Sequence, residues 1–193
     1  MRLTLICLLT VILAGCQQRM VIPAGDLPDS VAALTNWNLS GRMGYRAGNE
    51  GGSASIDWRQ RQDRGELRFS GPVGIGSAQL FWAPGEASLE TGRDEVHAHS
   101  TAELAWRLTG LWLPMEALEF WIRGLPWPDA EWQEVRNTDN QLSRLVQLGW
   151  TLEFSDYQAG AQPGDKLQLP HRIRAEHQDQ RFTLVVRRWE PLP

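Results

Sequence analysis

The sequence predicts a mainly β fold with short helices, an α+β chain whose strands run as an antiparallel meander. Three observations predict it. Apolar residues alternate with period two through most of residues 37–189. Gly- and Pro-containing turns recur between those runs. One central stretch, from Ser100 onward, switches to helical spacing.

The chain opens with Arg2 and an apolar run over residues 3–13, too short to span a bilayer as a helix. The run closes on Leu13-Ala14-Gly15-Cys16, so residues 1–15 are predicted to be a signal peptide that is absent from the working protein. This tetrapeptide resembles the bacterial lipobox. The resemblance implies an S-diacylglycerol and an N-acyl chain on Cys16, and no other cofactor is expected. Gln17 stands where Asp commonly retains lipoproteins at the inner membrane, which implies the outer membrane as destination.

Removing the first 15 of 193 residues leaves 178, enough for one domain with a sizeable core. The formal charge of −4 includes Arg2, so the mature side chains carry about −5, which argues against a nucleic-acid partner. Cys7 leaves with the signal and Cys16 is taken by lipid, so stability is expected from packing rather than disulfides. The domain plan is therefore a signal over 1–15, a lipidated N-terminus and tether over 16–28, and a folded domain over 29–193.

Pro23, Gly25 and Pro28 mark the tether. Asp29 or Ser30 is placed to cap a short helix over residues 31–35. Trp37, Leu39, Met43 and Tyr45 then share one parity, interrupted by Gly41, and Ala54, Ile56 and Trp58 repeat it after a Gly-rich turn. Leu67 and Phe69 continue the alternation, followed by Ala78, Leu80 and Trp82, then Leu89 and Thr91, then Val96 and Ala98. Ser100 and Glu103 have capping-box spacing ahead of Leu104, Leu108 and Leu111, with Gly110 as a stop. Pro114 is expected in the first turn of a second helix carrying Met115, Leu118 and Ile122, ended by Gly124 and Pro126. Strands resume over 132–135 and 142–147, and Gly149 marks a tight turn before Trp150, Leu152 and Phe154. Ile173 and Ala175 share a face, and residues 181–189 form a last strand through Phe182, Leu184 and Val186, joined to it by residues 178–180.

A sheet with one such face must pack against another layer or curl around itself. Ten Trp residues suit a cavity or interface, because rings this large are hard to bury completely. Apolar periodicity alone does not separate a packed core from a ligand pocket.

Catalytic signals are weak by comparison. His97 and His99 form a His-x-His pair on one strand face, yet no Cys or further His cluster accompanies them to complete a metal site. Asp94 and Glu95 are adjacent and point to opposite faces of an extended strand. The segment from Gly52 through Ser55 lacks a nucleophile elbow, and Gly74-x-Gly76 is followed by Gln79 where a dinucleotide loop needs glycine. The loop Ser70-Gly71-Pro72-Val73-Gly74-Ile75-Gly76 has two readings: its apolar tips either project outward or tuck back beside a bulge.

Leu108-Thr109-Gly110, Leu113-Pro114 and Trp121-Ile122-Arg123-Gly124-Leu125-Pro126 together resemble the helical signature of the LolB family of outer-membrane lipoprotein receptors. The likeness extends over about residues 37–189, through Tyr157 and Leu169-Pro170. It implies an incomplete antiparallel β-barrel enclosing an apolar cavity with a helical lid. It further implies a non-enzymatic receptor that takes acylated lipoproteins from a LolA-like periplasmic carrier and inserts them into the inner leaflet of the outer membrane. The loop Pro72, Val73, Gly74 corresponds to the family's membrane-insertion loop, where Val73 replaces a protruding Leu. A monomer is expected.

Parity supplies the acyl-chain cavity candidates: Trp37, Leu39, Met43, Ile56, Trp58, Leu67, Phe69 and Leu80 from the first strands, Leu104, Leu108, Leu118 and Ile122 from the helices, and Trp150, Leu152 and Phe154 beyond them. A scaffold lipoprotein without a lipid-binding cavity is the main alternative, and a hydrolase using His97 or His99 is a third.

Overall fold

The computed structural model describes residues 26–71, 77–92, 94–98, 100–160 and 166–193. A 3-10 turn, Val31–Ala33, is capped by the Ser30 hydroxyl, which accepts from the Ala33 N–H; it is shorter than the expected helix. Six strands follow: β1 (Asn36–Ala47), β2 (Glu50–Arg61), β3 (Arg64–Ser70), β4 (Ser77–Ala83), β5 (Glu86–Thr91) and β6 (Glu95–Ala98). Two helices, α1 (Thr101–Thr109) and α2 (Met115–Trp121), separate these from β7 (Trp132–Arg136), β8 (Leu142–Gln147), β9 (Trp150–Ala159), β10 (Gln168–His177) and β11 (Gln180–Leu192).

All eleven strands form one sheet in the order β6-β5-β4-β3-β2-β1-β11-β10-β9-β8-β7. The ladders are antiparallel throughout. Two meanders meet where β1 pairs with β11, and α1 and α2 lie in the connection between the two edges, β6 and β7. The edges do not pair with each other, so the sheet stays open.

Alternation sets which face is buried. In β1, Trp37, Leu39, Gly41 and Met43 point inward, while Arg42 between them is exposed. In β2 the inward set is Ala54, Ile56, Trp58 and Gln60. Gly41 sits at a bulge, where β1 shifts register against β11 after Ser40. A Cβ there would lie 2.5 Å from the Val185 carbonyl oxygen, so only glycine lets the two central strands approach this closely.

The helix signals act largely as the spacing predicts. The Ser100 hydroxyl accepts from the Glu103 N–H, and Gly110 closes α1 in the left-handed region with φ 73°. Pro114 lies one position earlier than expected, as the N-cap of α2. Leu148 and Gly149 both have positive φ and make the two-residue turn joining β8 to β9.

Both wings of the sheet reach α2. From β4, the Trp82 indole N–H donates to Glu119 at 2.9 Å. From the other wing, Gln147 of β8 accepts from the Trp121 indole at 2.8 Å, and Trp121 packs near Trp150 of β9 with ring centroids 6.4 Å apart. The sheet thus curls around the helical layer, and one apolar core fills the space between.

Candidate functional site

The seam between the helices and the concave face is the one the sequence singles out as a cavity. Eight of the parity candidates line it: Met43, Ile56, Trp58, Leu67, Phe69, Leu80, Leu118 and Ile122. Ala105, Thr109, Leu113, Met115, Phe182 and Leu184 complete the wall. Thr109 is the polar member, and its hydroxyl is occupied by the Ala105 carbonyl at 2.8 Å. The wall therefore offers hydrocarbon and no directional contact.

The seam is closed. Its free space is about 20 Å³, room for about one water molecule and far too little for a fatty acyl chain. The expected cavity is accordingly not a ready-made void; the side chains that would line it pack against one another.

The remaining candidates are placed elsewhere. Trp37 packs against Trp58 and Trp189, with ring centroids 5.2 Å apart in each case, and Leu39 is buried in the same core. Trp150, Leu152 and Phe154 are buried in the opposite wing, where Trp150 packs near Trp121 and Phe182. Leu104 is fully buried but does not line the seam, and Leu108 is only half-buried. The inward stripe of α1 is Leu104, Ala105 and Thr109, turned slightly from the stripe that its leucines suggest. Cys16, the loop positions Pro72, Val73 and Gly74, and His99 lie outside the described residues.

Polar residues around this seam are what the sequence reading missed. Four indoles have acceptors: Trp58 donates to Gln60 at 2.9 Å, Trp121 to Gln147 at 2.8 Å, Trp82 to Glu119 at 2.9 Å, and Trp189 to the Pro170 carbonyl at 3.1 Å. Gln60 and Gln147 are almost wholly buried. Their amides donate onward, Gln60 to Gln62 O and Gln147 to the carbonyls of Trp127 and Ala130. A glutamine at an inward-parity position, directly after Trp58 and Leu145 in the alternation, is the sequence signal that could have found them.

Glu119 on α2 and Arg123 in the turn that follows it form the charged part of the cluster. Burial raises the Glu119 carboxyl from 4.5 to about 7, opposed by the Trp82 hydrogen bond and by Arg123. Burial likewise lowers the Arg123 guanidinium, which Glu119 partly offsets. Arg123 donates to the Leu34 carbonyl at 2.6 Å and, through Nε, to the Glu119 carbonyl at 2.9 Å, so it ties the N-terminal turn to α2.

Of the two histidine candidates, His97 is the one among the described residues. His97 is exposed beside Glu95 at 3.5 Å. Among the described residues, no group of three or more His, Cys, Asp or Glu is arranged to hold a metal ion.

Comparison with known proteins agrees with this architecture. A LolA superfamily protein from Nitrosomonas europaea shares the fold with a TM-score of 0.54 at 8% identity, covering 83% of this chain and 88% of that one. A DUF1329 family protein from Desulfovibrio piger aligns with a TM-score of 0.55 at 9% identity, covering 83% and 87%. In sequence, the chain is 34% identical to the outer-membrane lipoprotein LolB of Cellvibrio japonicus, over 96% of this chain and 97% of the relative. It is 38% identical to that of Stutzerimonas stutzeri, over 83% and 77%. The family model described as outer membrane lipoprotein LolB matches residues 35–189, and the chain belongs to the LolB family.

Proposed function

We propose that the chain is a receptor anchored to the outer membrane through lipid on Cys16, with residues 1–15 removed, 16–28 as tether and 29–193 as the working domain. It accepts acylated lipoproteins from a LolA-like periplasmic carrier and inserts them into the inner leaflet. The seam carries this reading: its wall is apolar, and its one hydroxyl is already bonded within α1.

An acyl chain gains about 0.8 kcal/mol for each methylene removed from water, so three long chains amount to tens of kcal/mol as an upper figure. A wall without directional contacts takes any acyl chain, whatever protein it is attached to. Because only about 20 Å³ is free, loading requires α1 and α2 to move off the concave face. The incoming hydrocarbon replaces packing between the helices and the sheet, and the population of opened molecules scales the apparent affinity. Transfer runs downhill from carrier to receptor to bilayer, with no nucleotide involved. Val73 enters the bilayer interface as the client leaves.

The test is reconstitution: a carrier loaded with an acylated client, the lipidated receptor in liposomes, and client insertion as the readout. The packed interior favours one rival, a scaffold lipoprotein whose aromatics are only core. A scaffold takes up no fatty-acyl probe and moves no client.

A further inference from the structure

The two helices over the seam are held to the sheet in different ways. α2 is tied to both wings: the Trp82 indole of β4 donates to Glu119 at 2.9 Å, and Trp121 donates to Gln147 of β8 at 2.8 Å. Just past the helix, Arg123 donates to the Leu34 carbonyl at 2.6 Å. Trp121, Gln147 and Arg123 are buried, so parting these pairs strands polar groups away from water. α2 also buries Met115 and Leu118.

α1 has no such tie. Among the described residues, the polar side-chain contacts of α1 stay local: Ser100 caps Glu103, Arg107 meets Glu103 at 2.8 Å, and the Thr109 hydroxyl bonds the Ala105 carbonyl and accepts from the Leu111 N–H. The helix lies mainly against β4, β5 and β6, the outer strands of one wing. Leu104 is its large buried side chain, beside the small Thr101, Ala105 and Thr109. Lifting α1 therefore exposes less hydrocarbon than lifting α2, and breaks no buried side-chain bond to the sheet.

The C-terminal end of α1 is a natural pivot. Gly110 ends the helix with φ 73°, and the Trp112 N–H two residues on donates to Gln180 of β11 at 3.1 Å, which fixes the connection beyond the glycine. Trp106 of α1 and Trp112 of that fixed connection stack across the pivot, with centroids 5.2 Å apart at 20°. The two rings are 43% and 54% exposed, so the stack holds α1 down without belonging to the core.

We propose that α1 is the gate of the seam: it swings about Gly110 away from β4, β5 and β6, with the Trp106–Trp112 stack as its clasp, while α2 keeps its bonds to both wings as a fixed wall. The swing uncovers the side of the seam formed by Ala105 and Thr109, so hydrocarbon enters between α1 and the sheet. What enters rests on the receptor reading; which helix gives way rests on the bonding alone. The separation of helices from sheet is thereby narrowed to one of the two.

Cys7 and Cys16 are the two cysteines of the sequence, so the chain from residue 16 carrying Cys16→Ala has none and accepts single reporters. Ala105→Cys on α1 and Ala117→Cys on α2 are a matched buried pair, and their modification by iodoacetamide is timed with no acyl ligand present. The reporter at position 105 should react about tenfold faster than that at 117. Trp106→Ser should speed the first by about fivefold through loss of the stack, and leave the second unchanged. Trp82→Phe, which removes a link of α2, should speed neither. Hydrogen exchange of the α1 and α2 amides in the chain without reporters should show the same order, and decides the matter where a reporter disturbs packing. Equal rates on the two helices, or acceleration of both by Trp82→Phe, mean that they leave the sheet together and overturn the proposal. So does an α1 as closed as α2. A fatty-acyl probe is then added, and Trp106→Ser should speed its uptake by the same factor; uptake at an unchanged rate overturns the gate. An α1 that opens in a protein taking up no probe sinks the receptor reading and leaves the gate standing.

Discussion

The Trp82 indole donates to the Glu119 carboxylate at 2.9 Å, joining β4 to α2 across the closed seam. Trp82 also lies edge-on to Trp58, with centroids 5.5 Å apart, so the bond links α2 to a residue of the seam wall.

Stability should depend on pH through this carboxyl. Glu119 has a folded value of about 7 against 4.5 ordinarily, so between those limits the folded protein holds a proton that the unfolded chain releases. The contribution is fully present below about 4.5 and is lost as pH rises through about 7. Glu119→Gln, which keeps an acceptor for Trp82 and cannot ionise, should flatten that slope by on the order of 1–2 kcal/mol. Denaturant unfolding at several pH values measures it, and an identical slope in the variant contradicts the assignment.

Gly65 is the platform beneath Trp82. A Cβ at Gly65 would lie 1.9 Å from the indole ring, so Gly65→Ala must expel Trp82 from its place. We expect a loss of about 1–3 kcal/mol and a broken link to Glu119. Gly44→Ala is the matched control, because a Cβ there meets nothing within 4 Å. Equal effects of the two substitutions would remove the steric argument.

Arg123→Met should release the N-terminal turn, since the guanidinium holds the Leu34 carbonyl at 2.6 Å and that of Val31 at 3.4 Å. The expected result is faster proteolysis within residues 26–35 and a stability loss of about 1–3 kcal/mol. Unaltered cleavage there would mean the turn is held by packing alone.

Ala105→Phe should plug the seam from α1. Uptake of a fatty-acyl probe should fall while the sheet remains folded by circular dichroism, at a cost of about 1–3 kcal/mol from overpacking. Trp58→Asp should also impair uptake, by placing a charge on the apolar wall. Normal probe affinity in both folded variants would reject the seam as the acyl site.

Val73→Glu separates capture from release. Client capture from the carrier should persist, and insertion into liposomes should slow. Unchanged insertion would show that this loop has no part in delivery.

The strand order of events and the two helices were legible because period-two and helical spacing report directly on which face is buried. Met43, Ile56 and Trp58 reached the seam by parity alone. Trp150, Leu152 and Phe154 share the same alternation but pack in the other wing, since parity names a face and not a position along a curved sheet. The α1 wall was misjudged because its small residues, Ala105 and Thr109, face inward where the sheet comes close. Gln60, Gln147 and Glu119 escaped notice, and Arg123 was read only as part of the helical signature, because polar residues inside an apolar pattern read as interruptions until their indole and carbonyl partners are seen.

The pairing of β1 with β11 has a consequence for biosynthesis. The middle of the sheet joins Asn36 to Leu192, so a growing chain cannot finish it before β11 has emerged. Until then the apolar faces of both meanders lack their central seal. The decisive folding step therefore waits for β11 and is governed by closure of a very long loop, and any truncation within β11 leaves two half-sheets prone to aggregate.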